Sequence, residues 1–451
     1  MINLFEYQNK VGIPDSLEGL EDFLDEIWNN REKNSFYSEN DKIESQRFLQ
    51  FIHRSNELKS NKYVGVIHYE GNRINLLPKI FFNPEKDYSS KEISQIQNHI
   101  LWWLSYCRKI KFPNYQTSLG GVKSDFFEVL IYLFSKYTRE LLTSSIYQQY
   151  EEVDRELPFI KGKININPYI SENLSRGRWH KVNCTYDSFV IDNEFNQIIK
   201  YVTTLLFQIT SLPENKKNLR EILFILDEVS DVNVSAEQCS RIVFNPIFGE
   251  FETVRDYCHL FLSNSVSFDY KNELKLFAFL LPMEYIFEDF IYGFIERELP
   301  SISVRSQRSD TYLDEGKIFN LKPDLWLKTK HRSLIVDTKY KIVYEDLKDT
   351  KKGISQSDLY QMLAYAVRFG VNEIILFYPE IIKSDQIQES ELTLKDTLAD
   401  GKEILIKIFQ LPIIERALLE RPFETKINLS KLFEPTRLRL VSRLEEILTD
   451  Q

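Results

Sequence analysis

The chain has 451 residues, enough for two to four domains, and 43% of them are hydrophobic, including 32 Phe and 24 Tyr, which excludes a globally disordered protein. Its four cysteines, Cys107, Cys184, Cys239 and Cys258, show no CxxC spacing, which argues against a disulfide framework or a structural zinc. The net charge of −10 weighs against a chain that is basic throughout, yet between Arg297 and Lys352 basic residues outnumber acidic ones.

The start, MINLFEYQNKVGIP, lacks the basic-then-apolar pattern of a signal peptide. The most apolar stretch, near Leu274–Leu281, is too short to span a bilayer. A soluble, cytoplasmic protein with no membrane partner is expected. In chain order, Tyr63–Tyr69 and Arg73–Phe82 flank the turn-forming Glu70-Gly71-Asn72 and predict a β-hairpin. Apolar residues at three- and four-residue intervals predict long helices near Ser90–Ile110 and Lys123–Tyr150. Phe159–Ile166 reads as a short strand, Asp192–Gln208 and Asn215–Val229 as helices, and Phe244–Phe251, with Asn-Pro and Gly, as a break. After Leu274 the rhythm changes to a helix at Met283–Glu298, three strand-like runs, a helix at Gln356–Phe369 and another strand. Beyond Ser384 strand and helix signals continue, with an amphipathic Thr436–Leu448.

The chemistry concentrates in the α-β-β-β-α-β stretch. In Leu321–Lys328, Pro323 lacks an amide donor and belongs at a strand start, with Asp324 directly after it. In Ser333–Lys341 three aliphatics lead to Asp337-Thr338-Lys339, and strand alternation puts Asp337 and Lys339 on one face. Adjacent antiparallel strands would bring Asp324 and Asp337 together, and a pair of carboxylates is what a hard divalent cation such as magnesium takes. A lysine beside them could orient or deprotonate a water, or stabilise a pentacovalent phosphorane; the sequence leaves that choice open. On Met283–Glu298 the apolar stripe is Met283, Phe287, Phe290, Ile291 and Phe294. Glu284 and Glu288 border it, and Asp289 and Glu296 are expected to point away. Glu284 reads more simply as a solvated acid at a helix start. On Gln356–Phe369 the packing face is expected to be Leu359, Met362, Leu363, Ala366 and Val367. Gln361 and Tyr365 share a face there, either to contact water, phosphate or DNA backbone or as a buried aromatic with a polar neighbour.

These residues resemble a known family. Met283-Glu284, Phe287-Glu288, Lys322-Pro323-Asp324, Val336-Asp337-Thr338-Lys339-Tyr340 and Asp358-Leu359-Tyr360-Gln361-Met362-Leu363-Ala364-Tyr365 look like the McrC proteins of modification-dependent restriction. Upstream, Leu4-Phe5-Glu6-Tyr7, Gly65, Leu77-Pro78-Lys79-Ile80, Phe159-Ile160-Lys161-Gly162-Lys163 and Asp192-Asn193-Glu194-Phe195-Asn196 follow in the same order, so the resemblance covers most of the chain.

The resemblance implies an α/β fold (α+β overall) with a C-terminal PD-(D/E)xK endonuclease core. It implies Asp324, Asp337 and Glu288 as metal ligands, Lys339 as the catalytic lysine, and Gln361 with Tyr365 as a QxxxY element. Magnesium, or manganese in its place, would be the cofactor. Residues 1–150 would form an α+β partner-binding region, 151–275 a mainly helical middle, 276–385 the nuclease core and 386–451 its extension. The partners implied are double-stranded DNA and a McrB-like AAA+ GTPase ring whose hydrolysis the chain stimulates. None of its 14 glycines forms a GxxxxGK[ST] loop, so a nucleotide motor must come from another chain. Arg108, Arg155, Arg176 and Arg178 are basic residues in regions that could act on that partner, and none has a distinguishing context. The expected activity is that of a type II/IV-like restriction endonuclease; an activator with a vestigial nuclease site and a free-standing repair nuclease are the alternatives.

Overall fold

The computed structural model describes the chain except residues 1, 15–16, 18, 22–48, 70–71, 109–118, 121–125, 271–272, 307–310, 330–332, 347, 385, 397–401, 421–425, 428 and 450–451. It divides into two compact units, one of residues 1–130 and 263–451 and the other of residues 131–262.

The first unit begins with β1 (Ile2–Phe5), followed by β2 (Tyr63–Tyr69) and β3 (Asn72–Leu77). β2 and β3 pair antiparallel as the hairpin expected from their alternation, the turn residues Glu70 and Gly71 lying outside the described residues. β1 adds to β3 in parallel. The second hairpin strand stops at Leu77, short of the expected Phe82, because Pro78 has no amide to donate to a ladder; a single 3-10 turn, Lys79–Phe81, follows. Helix α1 (Ser90–Tyr106) starts on a capping box between Ser89 and Glu92.

The second unit holds most of helix α2 (Phe126–Ser144) and a three-stranded sheet of β4 (Gln149–Leu157), β5 (Lys163–Ile164) and β6 (Val182–Val190) in the order β4-β6-β5. The expected strand over Phe159–Ile166 shrinks to two residues. Gly162 takes a left-handed φ of 71°, which breaks the extended run, and Phe159 and Ile160 stand exposed ahead of it. Helices α3 (Glu194–Ile209) and α4 (Pro213–Ile225) follow within one to four residues of their expected bounds. Phe244–Phe251 is the expected break, a 3-10 turn at Pro246–Phe248 ahead of α5 (Glu250–Asn264).

Back in the first unit, β7 (Ser265–Tyr270) and β8 (Glu273–Pro282) complete a five-stranded sheet ordered β1-β3-β2-β8-β7. Gly65 of β2 is required there. A Cβ at that position would lie 1.9 Å from the Phe279 carbonyl oxygen of β8, and its φ of 157° is one that side chains rarely adopt.

β8 runs directly into α6 (Met283–Glu298), whose expected apolar stripe is buried throughout. α6 packs on α1 so closely that a Cβ on Gly293 would meet the Tyr106 carbonyl oxygen at 1.9 Å. Around that contact Trp102 and Tyr106 take edge-on aromatic contacts from Phe290, with ring centroids 5.2 and 5.8 Å away. Gly293→Ala should therefore force the helices apart and cost about 1–3 kcal/mol, read as a lower thermal midpoint.

Three strands follow, β9 (Ser303–Ser306), β10 (Leu325–Lys328) and β11 (Ser333–Thr338), then α7 (Gln356–Phe369) and β12 (Glu373–Pro379). β13 (Glu389–Asp396) and β14 (Lys402–Leu411) complete a mixed six-stranded sheet ordered β9-β10-β11-β12-β14-β13. β11, β12 and β14 run parallel, and the outer pairs are antiparallel. Ile335, Ile374, Leu376, Ile406 and Ile408 form one core with Met362, Tyr365 and Ala366 of α7. The face of α7 that packs is rotated from the expected one: Asp358, Met362, Tyr365 and Ala366 are buried, while Val367 is exposed. Tyr365 and Asp358 turn inward because each finds a polar partner at the strand ends. The chain ends in α8 (Glu434–Thr449), which contains the expected Thr436–Leu448 pattern.

Candidate active site

The register of the β10–β11 ladder positions the two acids. Leu325 pairs with Val336, so continuing the antiparallel ladder by one residue sets Asp324 opposite Asp337. Asp324 sits at the bend before β10, where Pro323 keeps the ladder from starting earlier. It is held by the next strand: its Oδ2 accepts from the Thr338 amide at 2.7 Å and from the Thr338 hydroxyl at 2.8 Å. Thr338 escapes a reading based on alternation, which sends its side chain to the face opposite Asp337. Its amide and hydroxyl matter only because Asp324 lies outside the strand and can reach them.

Asp337 is fully buried, and its Oδ2 lies 2.5 Å from Lys339 Nζ, as alternation along one face predicts. Neither carboxylate oxygen finds a hydrogen bond of good geometry among the described residues. Burial pushes the Asp337 carboxyl up to about 7, with repulsion from Asp324 adding to it and Lys339 opposing it. Asp324 is pushed up to about 7 as well, by burial first and the Glu288 charge second, against the pull of Lys339 and Thr338. For Lys339, burial works against the charged form, but Asp337 and Asp324 outweigh it and the ammonium is raised overall.

Glu288, half-buried on α6, is thus close enough to act on Asp324. Among the described residues, no three His, Cys, Asp or Glu side chains stand together as a ready metal cage. Glu284 turns elsewhere and pairs with Lys62 at 3.0 Å. Asp289 does not point away as expected. It is buried because Arg108, arriving after α1, donates to it from its amide at 2.9 Å and its Nε at 2.7 Å and stacks over Tyr292. Of the other arginines, Arg155 is exposed on β4, and Arg178 donates to the Glu172 carbonyl.

Gln361 and Tyr365 do meet, Gln361 Nε2 donating to the Tyr365 hydroxyl at 2.8 Å. That hydroxyl in turn donates to the Lys322 carbonyl at 3.0 Å, two residues before Asp324. Tyr365 is therefore a brace between α7 and the segment that carries Asp324. A second brace joins the end of β11 to α7: Lys341 Nζ donates to both Asp358 oxygens at 2.8 and 2.9 Å, and the Tyr378 hydroxyl donates to the same carboxylate at 3.2 Å. Tyr365→Phe should cost about 1 kcal/mol of stability by removing one buried bond and should loosen Asp324, read as weaker binding of manganese by the folded variant.

The donor set fits a divalent cation. Two convergent carboxylates, one of them with buried oxygens lacking good hydrogen bonds, are what magnesium uses when it keeps several of its waters. The Asp324 charge raises Asp337 and the Glu288 charge raises Asp324, and a cation held by these acids would relieve both.

A family model described as "McrBC 5-methylcytosine restriction system component" matches residues 58–379, which is most of the chain and includes Glu288, Asp324, Asp337, Lys339, Gln361 and Tyr365. The chain belongs to the McrBC family. The resemblance to McrC read from the sequence is thereby borne out, and the chain is a component of that restriction system. A chain of the Thermococcus gammatolerans assembly of McrB AAA+ hexamers with bound McrC matches this McrBC-family fold with a TM-score of 0.65 at 17% identity, over 96% of this chain and 99% of that one. A second structure, of the Thermococcus gammatolerans McrBC complex, matches at 19% identity over 66% of this chain and 88% of that one, with a TM-score of 0.49. No curated protein matches the chain. Among the described residues, no helix is long and apolar enough to cross a membrane.

Proposed function

We propose that this chain is the nuclease subunit of its restriction system, a metal-dependent phosphodiester hydrolase of the PD-(D/E)xK type. The observation that carries this reading is the pairing of two carboxylates, half-buried Asp324 and fully buried Asp337, with the Lys339 ammonium 2.5 Å from the second of them. A buried charge cluster of this kind costs stability and is retained where it does chemistry. The element order α6-β9-β10-β11-α7-β12 supports the same reading, since it presents those residues at one end of a mixed sheet.

Asp324 and Asp337 would hold magnesium or manganese, with Glu288 completing the acidic wall. A bound divalent cation supplies an acidified water and neutralises charge on the scissile phosphate. Lys339, held as an ammonium by both aspartates, places a positive charge where the phosphorane's oxygens gather negative charge. Thr338 fixes the Asp324 carboxylate, and Tyr365 with Gln361 fixes the backbone that precedes it. The basic excess between Arg297 and Lys352 supplies attraction for the phosphates of double-stranded DNA.

The chain works, in this reading, with a McrB-like AAA+ GTPase ring and stimulates its hydrolysis. The similar Thermococcus chain comes from an assembly of McrB hexamers with McrC, and this chain has no phosphate-binding loop of its own. Residues 1–150 would take part in that contact, and the second unit offers further exposed apolar residues for it, Phe159, Ile160, Ile166, Ile170 and Trp179. Supercoiled plasmid incubated with the chain, magnesium, the ring and GTP tests the reading. Cleavage that needs both ring and GTP supports it, cleavage by the chain alone makes it a free-standing nuclease, and stimulated GTP hydrolysis without any cleavage leaves an activator.

A further inference from the structure

Three strings that are far apart in sequence, Leu4-Phe5-Glu6-Tyr7, Leu77-Pro78-Lys79-Ile80 and Val336-Asp337-Thr338-Lys339-Tyr340, meet beside the candidate site. Glu6, just past β1, is buried, and its Oε2 accepts from the Lys79 amide at 3.2 Å. Lys79 Nζ lies over the Tyr340 ring, 4.6 Å from its centroid, and the Tyr340 hydroxyl is buried with no hydrogen bond of good geometry among the described residues, though the Glu6 charge acts on it. On its other side the Tyr340 ring packs against Phe287 of α6, centroid to centroid 6.0 Å, next to Glu288.

After β11 the side chains of three consecutive residues go to three different partners. Lys339 reaches Asp337, Tyr340 enters the Glu6–Lys79 pocket, and Lys341 reaches Asp358 on α7. The backbone there is drawn tight: the Lys339 amide donates to the Phe377 carbonyl at 2.8 Å, and the Lys341 amide donates back to the Lys339 carbonyl at 2.9 Å. Tyr340 is thus an anchored neighbour of the residue carrying the ammonium, as Thr338 is on its other side.

We infer that Glu6 is a positioning residue for Lys339: the N-terminal strand, through Glu6 and Lys79, clamps Tyr340 and so sets where the Lys339 ammonium stands against Asp337. The proposal rests on the nuclease reading only for the consequence in cleavage; the placement of Lys339 is a property of the chain itself. Burial pushes the Glu6 carboxyl up to about 8, so at neutral pH it is largely a neutral acceptor that glutamine can imitate.

The test follows Lys339 directly. The full chain is treated with acetic anhydride, and acylation at Lys339 is followed by mass spectrometry, alongside single-turnover plasmid cleavage with magnesium, ring and GTP. Glu6→Ala is expected to speed Lys339 acylation by more than about twofold, as the ammonium loses its place beside Asp337. It is also expected to slow cleavage about 10- to 100-fold with DNA affinity unchanged, the size of effect a misplaced catalytic group gives. Glu6→Gln should return both to the wild-type values, a rescue that a general loss of stability would not produce. Should Glu6→Ala fail to fold, Lys79→Met, which removes the cation over the Tyr340 ring, decides between the same outcomes. Wild-type acylation and cleavage rates in Glu6→Ala or, failing that, Lys79→Met overturn the inference, as does a loss confined to DNA affinity. If the wild-type chain cleaves nothing, the nuclease reading fails, and the acylation rates alone decide whether Glu6 positions Lys339.

Discussion

Asp337→Ala should lower the single-turnover cleavage rate at least about 10³-fold, on the order of 4 kcal/mol of barrier, while the variant stays folded and still stimulates the partner's GTP hydrolysis. The expected size follows from what one side chain does at this site. Asp337 is a proposed metal ligand, it is the close partner of the Lys339 ammonium, and it shares the pocket with Asp324. Removing it withdraws a ligand and frees the lysine at once. Stability should not suffer, because the lost carboxylate is itself buried with oxygens that lack good hydrogen bonds. Retained cleavage by the folded variant would remove Asp337 from the site.

The second large effect is on stability and pH. Asp324 and Asp337 are both raised to about 7, mainly by burial, so each favours the folded state most when protonated. Their contribution is fully present below the ordinary carboxylate range and is lost as pH rises through about 7. The metal-free chain should therefore lose thermal stability progressively from about pH 4 to about pH 7. Over that window Asp337→Asn should pull ahead of the wild type, melting on the order of 2–4 °C higher at pH 8 and converging with it near about pH 4. Magnesium should raise the wild-type midpoint at pH 8 and leave the asparagine variant nearly unmoved, since binding requires both carboxylates without their protons. Comparing the two chains cancels other groups that titrate nearby, Glu6 among them. A wild type that gains on the variant as pH rises would contradict the burial argument.

Much of this arrangement was legible because it is local. α6 and α7 fall on the bounds that their apolar spacing marks, and the antiparallel offset of β10 and β11 sets Asp324 against Asp337 by counting alone. What escaped depends on partners distant in the chain. The inward turn of Asp289 needs Arg108, 181 residues earlier, and no periodicity along α6 could announce a cation arriving from α1. The packing face of α7 differs from the one its hydrophobicity predicts, which favours Leu359 and Val367. Asp358 and Tyr365 are buried instead, since Lys341, Tyr378 and the Lys322 carbonyl satisfy their polar atoms. Glu6 and Tyr340 lie more than 300 positions apart, so nothing in either string reveals their meeting.

Binding of manganese to the purified chain, followed by electron paramagnetic resonance at pH 8, tests the central claim most directly, because it needs neither partner nor DNA. The account predicts a saturable site in the wild type that is lost in Asp337→Asn and Asp324→Asn and kept in Glu284→Gln, whose carboxylate is turned toward Lys62. Equal manganese binding by the wild type and both aspartate variants would show that these two residues do not hold the metal.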